Sequence, residues 1–319
     1  MLEIVAAIFA LLLIWELPGL TIIMLLKLPF QKLEVIFISG VLSVSFWVLC
    51  GILLDKIIIS KVTVLVSLGS VLLLFVFILP KLARTLNDWS AKRILSNLVM
   101  SLRGHTNLVL KQICLWLLII WLSWRVMQNW GSALGVHSID MCWHIYWTKT
   151  LIKAGHIPDY TIVEPFDQAI KFVFFPHFAL AVSSIVLQNT PEMVYSVVLL
   201  WFTMISLLGV FCITKTLTGS YFASLLSSML YVEAYHPGAY IMRGNLPDIM
   251  GYLLVLAATF VLIRFGFSKR GASLLLLIVP SVLVVHQYAT LVVSLILILT
   301  MSLWIIKNQR HLTLYLNSA

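Results

Sequence analysis

Long apolar blocks recur along almost the whole chain, and they constrain its fold more than any other feature. Nine of them, residues 2–26, 33–54, 62–79, 113–130, 193–213, 221–235, 249–264, 272–286 and 290–306, carry few charges or none. A bilayer is crossed by about 20 apolar residues in a helix, because a helix satisfies its own backbone hydrogen bonds away from water. Each block reaches that length or falls a little short of it. With 61% hydrophobic and 10% charged residues, the chain is excluded from soluble enzymes, disordered tails, collagens and disulfide scaffolds. A transmembrane barrel is excluded too, since its strands alternate apolar and polar residues. The expected class is all-α: a polytopic helical membrane protein of about nine transmembrane helices with a long structured outer loop.

Charge sets the expected sidedness. Residues 80–112 hold Lys81, Arg84, Lys92, Arg93, Arg103 and Lys111 against one acid, Asp88, so this loop is expected on the cytoplasmic side. A tenth apolar block, 172–187, contains Pro176 and His177 and is about 16 residues long. If it does not span, 14 Lys/Arg fall in inner loops and 6 in outer ones, with Arg125 inside a helix. Nine of the twelve acids then lie outside. The block is therefore read as a re-entrant or interfacial helix packed on the outer side. This places the N-terminus outside and the C-terminus in the cytoplasm. The net charge of +9 follows from cytoplasmic Lys and Arg, and nucleic acid is not expected as a partner. Cys50, Cys114, Cys142 and Cys212 have no metal-ligand spacing. Met1-Leu2-Glu3 lacks the basic start of a signal peptide, so the first block is expected to be retained.

The organisation reads as an N-terminal three-helix segment, 1–79, a basic loop, 80–112, and a membrane module, 113–319, with an outer loop over 131–191. In the basic loop Leu82, Leu86, Trp89 and Leu98 alternate with the cations, as in a helix lying on anionic membrane lipids.

The outer loop carries the first candidate site. Ser138 starts a helix with Asp140 in its first turn, and Gly155 and Pro158 end it. Asp140, His144 and Thr148 fall within about 80° of one another on that helix. Trp143, Trp147 and Leu151 flank the stripe on one side, Met141, Ile145 and Ile152 on the other, and Lys149 and Lys153 lie opposite. Such a helix is pressed against protein or lipid, with Asp140 and His144 facing a pocket. The plainer alternative is a helix cap at Asp140 and a buried, satisfied histidine at His144.

The second polar concentration is the loop after the sixth span, with Glu233, His236, Arg243 and Asp248. An arginine fork suits phosphate oxygens, and Pro237-Gly238 and Arg243-Gly244 break the helix near it. An ordinary turn with a snorkelling arginine is the alternative here. His286 marks the outer end of the eighth span, and Glu16 precedes Pro18-Gly19 inside the first block. An intramembrane carboxylate is a functional candidate by default; protonated burial at a helix kink is the reading adopted for Glu16.

The order of these parts resembles the membrane-embedded C-type glycosyltransferases (GT-C), which include oligosaccharyltransferase catalytic subunits and protein O-mannosyltransferases. The matching parts are the span 113–130, the loop opening with Asp140, the Phe-Phe-Pro-His of 174–177, two spans, and Arg243-Gly-Asn-Leu-Pro-Asp248. The resemblance covers about the C-terminal two-thirds of the chain. The chain departs from the family in lacking an Asp-x-Asp or Asp-x-Glu in the second loop and a Trp-Trp-Asp motif, and in having six spans after the basic loop where the module usually has seven. A divergent or truncated prokaryotic member of archaeal type fits that pattern.

The resemblance implies transfer of a sugar from a polyprenyl-phosphate-linked donor to an acceptor at the outer face. It implies Asp140 as base or metal ligand, and Asp248 as a second carboxylate, holding Mg or Mn with Asp140 or positioning the sugar. His144 would orient Asp140 or contact the donor phosphate, and Arg243 would stabilise the phosphate charge. His236 and His286 are further candidate substrate contacts, a buried hydrogen-bonded turn being the alternative at His286. Two other classes remain open: a non-catalytic subunit of a glycosylation complex, whose membrane partner supplies missing helices or a soluble domain, and a lipid or solute transporter.

Overall fold

The computed structural model describes residues 2–55, 57–86, 110, 113–121, 139–156, 160–163, 168–171, 174–233, 246–285 and 287–316. For 2–8, 79–86, 139–140, 160–163, 168–171, 174–175, 232–233, 287–288 and 305–316 it describes the backbone alone. In chain order the elements are α1 (Leu2–Trp15), α2 (Leu17–Leu25), α3 (Lys32–Asp55), α4 (Lys61–Leu86), α5 (Ile139–Ala154), β1 (Tyr160–Val163), β2 (Gln168–Lys171), α6 (Phe174–Leu187), α7 (Pro191–Thr218), α8 (Tyr221–Glu233), α9 (Leu246–Phe265), α10 (Lys269–Val285) and α11 (Gln287–Leu316). Residues 113–121 are also helical. The two strands form one antiparallel hairpin, Tyr160 opposite Lys171 and Val163 opposite Gln168. This hairpin is the one departure from an all-α fold among the described residues.

Four of these helices, over Lys32–Asp55, Lys61–Ile78, Pro191–Thr218 and Leu246–Phe265, are long and apolar enough to cross a membrane. The block 2–26, expected as one span, is instead two helices meeting at Glu16. The block 221–235 appears as α8, of 13 residues, and 272–286 falls in α10, of 17 residues. Gly219-Ser220 and the turn of Gly266 to Ser268 precede their first residues.

The break at Glu16 shows how such a fold satisfies itself. Pro18 has no N–H, so the carbonyl four residues back, on Ile14, loses its helical donor. The indole of Trp47 on α3 donates to that carbonyl at 2.8 Å. The N–H of Gly19, in the first turn of α2, donates to Ser43 Oγ at 2.9 Å. Glu16 shares a hydrogen bond with Ser39. Gly19 permits the crossing: a Cβ there would lie 1.8 Å from the carbonyl oxygen of Ser39.

That crossing lies in the main core. Trp15 packs edge-on against Phe202 of α7 at 4.8 Å, and Phe37 of α3 against Phe260 of α9 at 5.7 Å. All four rings are essentially buried. The helices of the expected N-terminal segment thus share one core with α6, α7, α9 and α10.

One end of the bundle gathers Phe30 with Phe265 at 5.4 Å and Arg264 Nε with Glu34 Oε1 at 3.9 Å. The other end gathers the turn before α4 with the end of α5, where Ile59 N–H donates to the Gly155 carbonyl. The short helix α6 lies inside this assembly. Pro176 through Ser184 are buried without interruption, and α6 packs on α1, α3, α4, α5, α7, α9 and α10. Its expected burial in protein at membrane depth is what a short polar-ended helix needs in a bilayer. Large apolar side chains elsewhere face outward, including Leu73 and Phe77 on α4 and Leu295 and Leu299 on α11.

Candidate functional site

The helix α5 begins at Ile139 and ends at Ala154, and Gly155 closes it in the left-handed region with φ of 70°. A Cβ at Gly155 would also press on Ile58 at 3.1 Å, so the helix end and the turn before α4 fit together around a glycine. Met141, Ile145, Trp147, Thr148 and Leu151 are buried, while Cys142, Tyr146, Lys149 and Lys153 are exposed. The wheel drawn from the sequence therefore holds: α5 presses both apolar flanks into protein and turns its lysines away.

At the centre of the buried arc, His144 Nδ1 and His177 Nε2 lie 2.9 Å apart in a hydrogen bond. One imidazole donates and the other accepts. Thr148, fully buried, donates to the His144 carbonyl at 2.7 Å. His177 is 3% exposed and has the Trp147 ring 6.4 Å away on its other side. The next residue, Phe178, packs on Trp47 at 6.4 Å. Trp47 is the side chain that caps the broken first block, so the buried break and the imidazole pair are mechanically joined.

Local sequence explains this placement. Pro176 sits within the first turn of α6, where a missing N–H costs no hydrogen bond. His177 follows in the same first turn, and its imidazole meets His144 of α5. A second imidazole in so apolar a segment would be expensive to bury alone; paired with His144 it is satisfied.

The other candidate residues fall as follows. Asp140 lies one turn before His144 on α5, and its side chain is outside the described residues. Asp248 occupies the first turn of α9 at 9% exposure, where a carboxylate suits the helix dipole; α9 also packs on α6. His236, Arg243 and His286 lie outside the described residues. Glu16 is at the kink expected of it, with one oxygen bonded to Ser39 and the other without a partner.

Among the described residues no three His, Cys, Asp or Glu side chains gather as a metal site. Mg and Mn take oxygen ligands; of the two carboxylates expected to hold one, Asp248 is described and the Asp140 side chain is not. No step below is routed through a metal ion. The residue that sequence reasoning passed over is His177. Its signal was present: a histidine directly after a proline in the first turn of a short apolar helix.

No protein-family model, curated protein or solved structure matches this chain.

Proposed function

We propose that this protein is a membrane transferase that moves a sugar from a polyprenyl-phosphate-linked donor to an acceptor at the outer face, on a GT-C-like arrangement of about nine spans. The observation that carries the reading is the His144–His177 hydrogen bond, made at 2.9 Å inside a membrane-embedded bundle, one helical turn from Asp140. Histidines inside an apolar bundle are candidates for proton handling or anion contact.

In this reading the acceptor nucleophile gives its proton to Asp140 and bonds to the sugar anomeric carbon. The bond from that carbon to the phosphate oxygen breaks, and polyprenyl phosphate leaves with the electron pair. When the imidazole pair carries one added proton, a ring nitrogen not engaged in the pair gives a proton to the departing phosphate oxygen and the pair returns to neutral, a role worth about 10²–10⁴-fold in rate. Arg243 neutralises the phosphate charge, and Asp248 positions the sugar. The N-terminus is outside and the C-terminus in the cytoplasm.

The test is mass spectrometry of lipids that co-purify with the full chain, with Arg243→Ala as the control. A polyprenyl phosphate or its glycosylated form, lost in the variant, is the expected result. Bulk phospholipid alone, equal in both, would refute the donor class and favour a subunit or transporter. Sidedness has its own check: Ser268→Cys, in an exposed turn, should react with a membrane-impermeant maleimide only from the cytoplasmic side. Labelling from outside would reverse the topology.

A further inference from the structure

Lys149 and Lys153 project from α5 about 140° and 180° around the helix from His144. There they meet Lys61, at the start of α4, across a cleft of about 490 Å³ that Ser184, Gln188 and Asn189 also line. Lys149 is paired with Glu192. Among the described residues no carboxylate forms an ion pair with Lys61 or Lys153. Ammonium groups brought together repel one another, and these stand at the end of the bundle where the sidedness argument expects few cations. Three of the six Lys/Arg assigned to the outer side are collected here.

An independent feature points the same way. Ser184 is 4% exposed, lines the cleft, and its hydroxyl has no hydrogen-bond partner. Its neighbour Ser183 bonds the carbonyl four residues back at 2.9 Å, as Thr203 and Ser206 do on α7. A buried hydroxyl left unanswered at the wall of the cleft that holds Lys61 and Lys153 is a donor without an acceptor among the described residues. The N-terminus of α7 opens into the same space through Thr190 and Pro191, where the Glu192 carboxylate already accepts from the Thr190 hydroxyl, from its own N–H and from Lys149. The volume lies within the range of small-molecule sites, enough for a phosphate and the group that bears it.

From this we infer that the cleft binds a phosphate group, carried by a lipid headgroup or as a free anion. The site is separate from the imidazole pair and does not rest on the transfer reading.

The experiment uses the full chain in a phosphate-free maltoside detergent. Inorganic phosphate is titrated by calorimetry, and phosphatidylglycerol against uncharged diacylglycerol by native mass spectrometry. Both are repeated with the Lys61→Gln/Lys153→Gln variant. The expected result is binding of at least one probe, weakened about tenfold or more in the variant. Loss of inorganic phosphate binding assigns the free anion, and loss of phosphatidylglycerol alone assigns the lipid. Binding of neither probe, or equal binding to both proteins, overturns the site. Should the double variant fail to fold, Ser184→Ala serves instead: weaker binding by several-fold upholds the site, and unchanged binding overturns it.

Discussion

The break in the first apolar block and the region where α5 meets α6 pose the same physical problem and solve it differently. Both bring polar groups into an apolar bundle. At the break, the helix interruption made by Pro18 is answered locally: the Ile14 carbonyl by Trp47, the Gly19 N–H by Ser43, and one Glu16 oxygen by Ser39, the other having no partner. Between α5 and α6, the imidazoles answer each other, but the Ser184 hydroxyl is buried without a partner. Two lysines beside it lack carboxylates among the described residues. The first region holds the helices together, and the atom it leaves unanswered is an acceptor, a Glu16 carboxyl oxygen. The second keeps donors in reserve, which is how a binding surface differs from a structural joint.

That contrast can be broken by substitution. Trp47→Ala removes a fully buried indole, a truncation costing about 3–5 kcal/mol, and it also withdraws support from Phe178 and hence His177. Thermal unfolding in detergent should show the loss. Trp47→Phe keeps most of the volume and removes the donor to Ile14, for about 1–3 kcal/mol. A Phe variant as stable as the native chain would mean that the break does not depend on that bond. Ser184→Ala should leave unfolding within about 0.5 kcal/mol of native, or raise it, since no hydrogen bond is lost and an unanswered hydroxyl goes. A clear destabilisation there would show that Ser184 is answered after all, and the two regions would no longer differ.

Much of this was legible in the sequence because helical periodicity is a local property. The pattern of α5 depends only on spacing, so Asp140, His144 and Thr148 on one arc and Lys149 and Lys153 opposite could be read from the residues. The kink at Glu16 followed from Pro18. What the sequence hid were the contacts between distant segments. His144 and His177 are 33 residues apart in the chain, and nothing in the spacing of α5 names its partner. Trp47 lies 33 residues from the carbonyl it caps. The joining of residues 2–78 to the later helices was hidden for the same reason, since hydropathy marks a span but not its neighbours. Lys61 begins α4, and nothing local in the sequence places it at one cleft with Lys149 and Lys153 of α5.

The central claim is that the His144–His177 pair serves chemistry rather than packing. Its most direct test is sugar transfer in proteoliposomes supplied with a polyprenyl-phosphate-linked sugar, comparing the native chain with Asp140→Asn and His177→Ala after checking that each variant inserts and unfolds cooperatively. The account predicts that Asp140→Asn abolishes transfer and that His177→Ala lowers the rate by about 10²–10⁴-fold while the protein stays folded. Transfer at the native rate in both variants would contradict it and return the pair to the role of a buried, satisfied contact between α5 and α6.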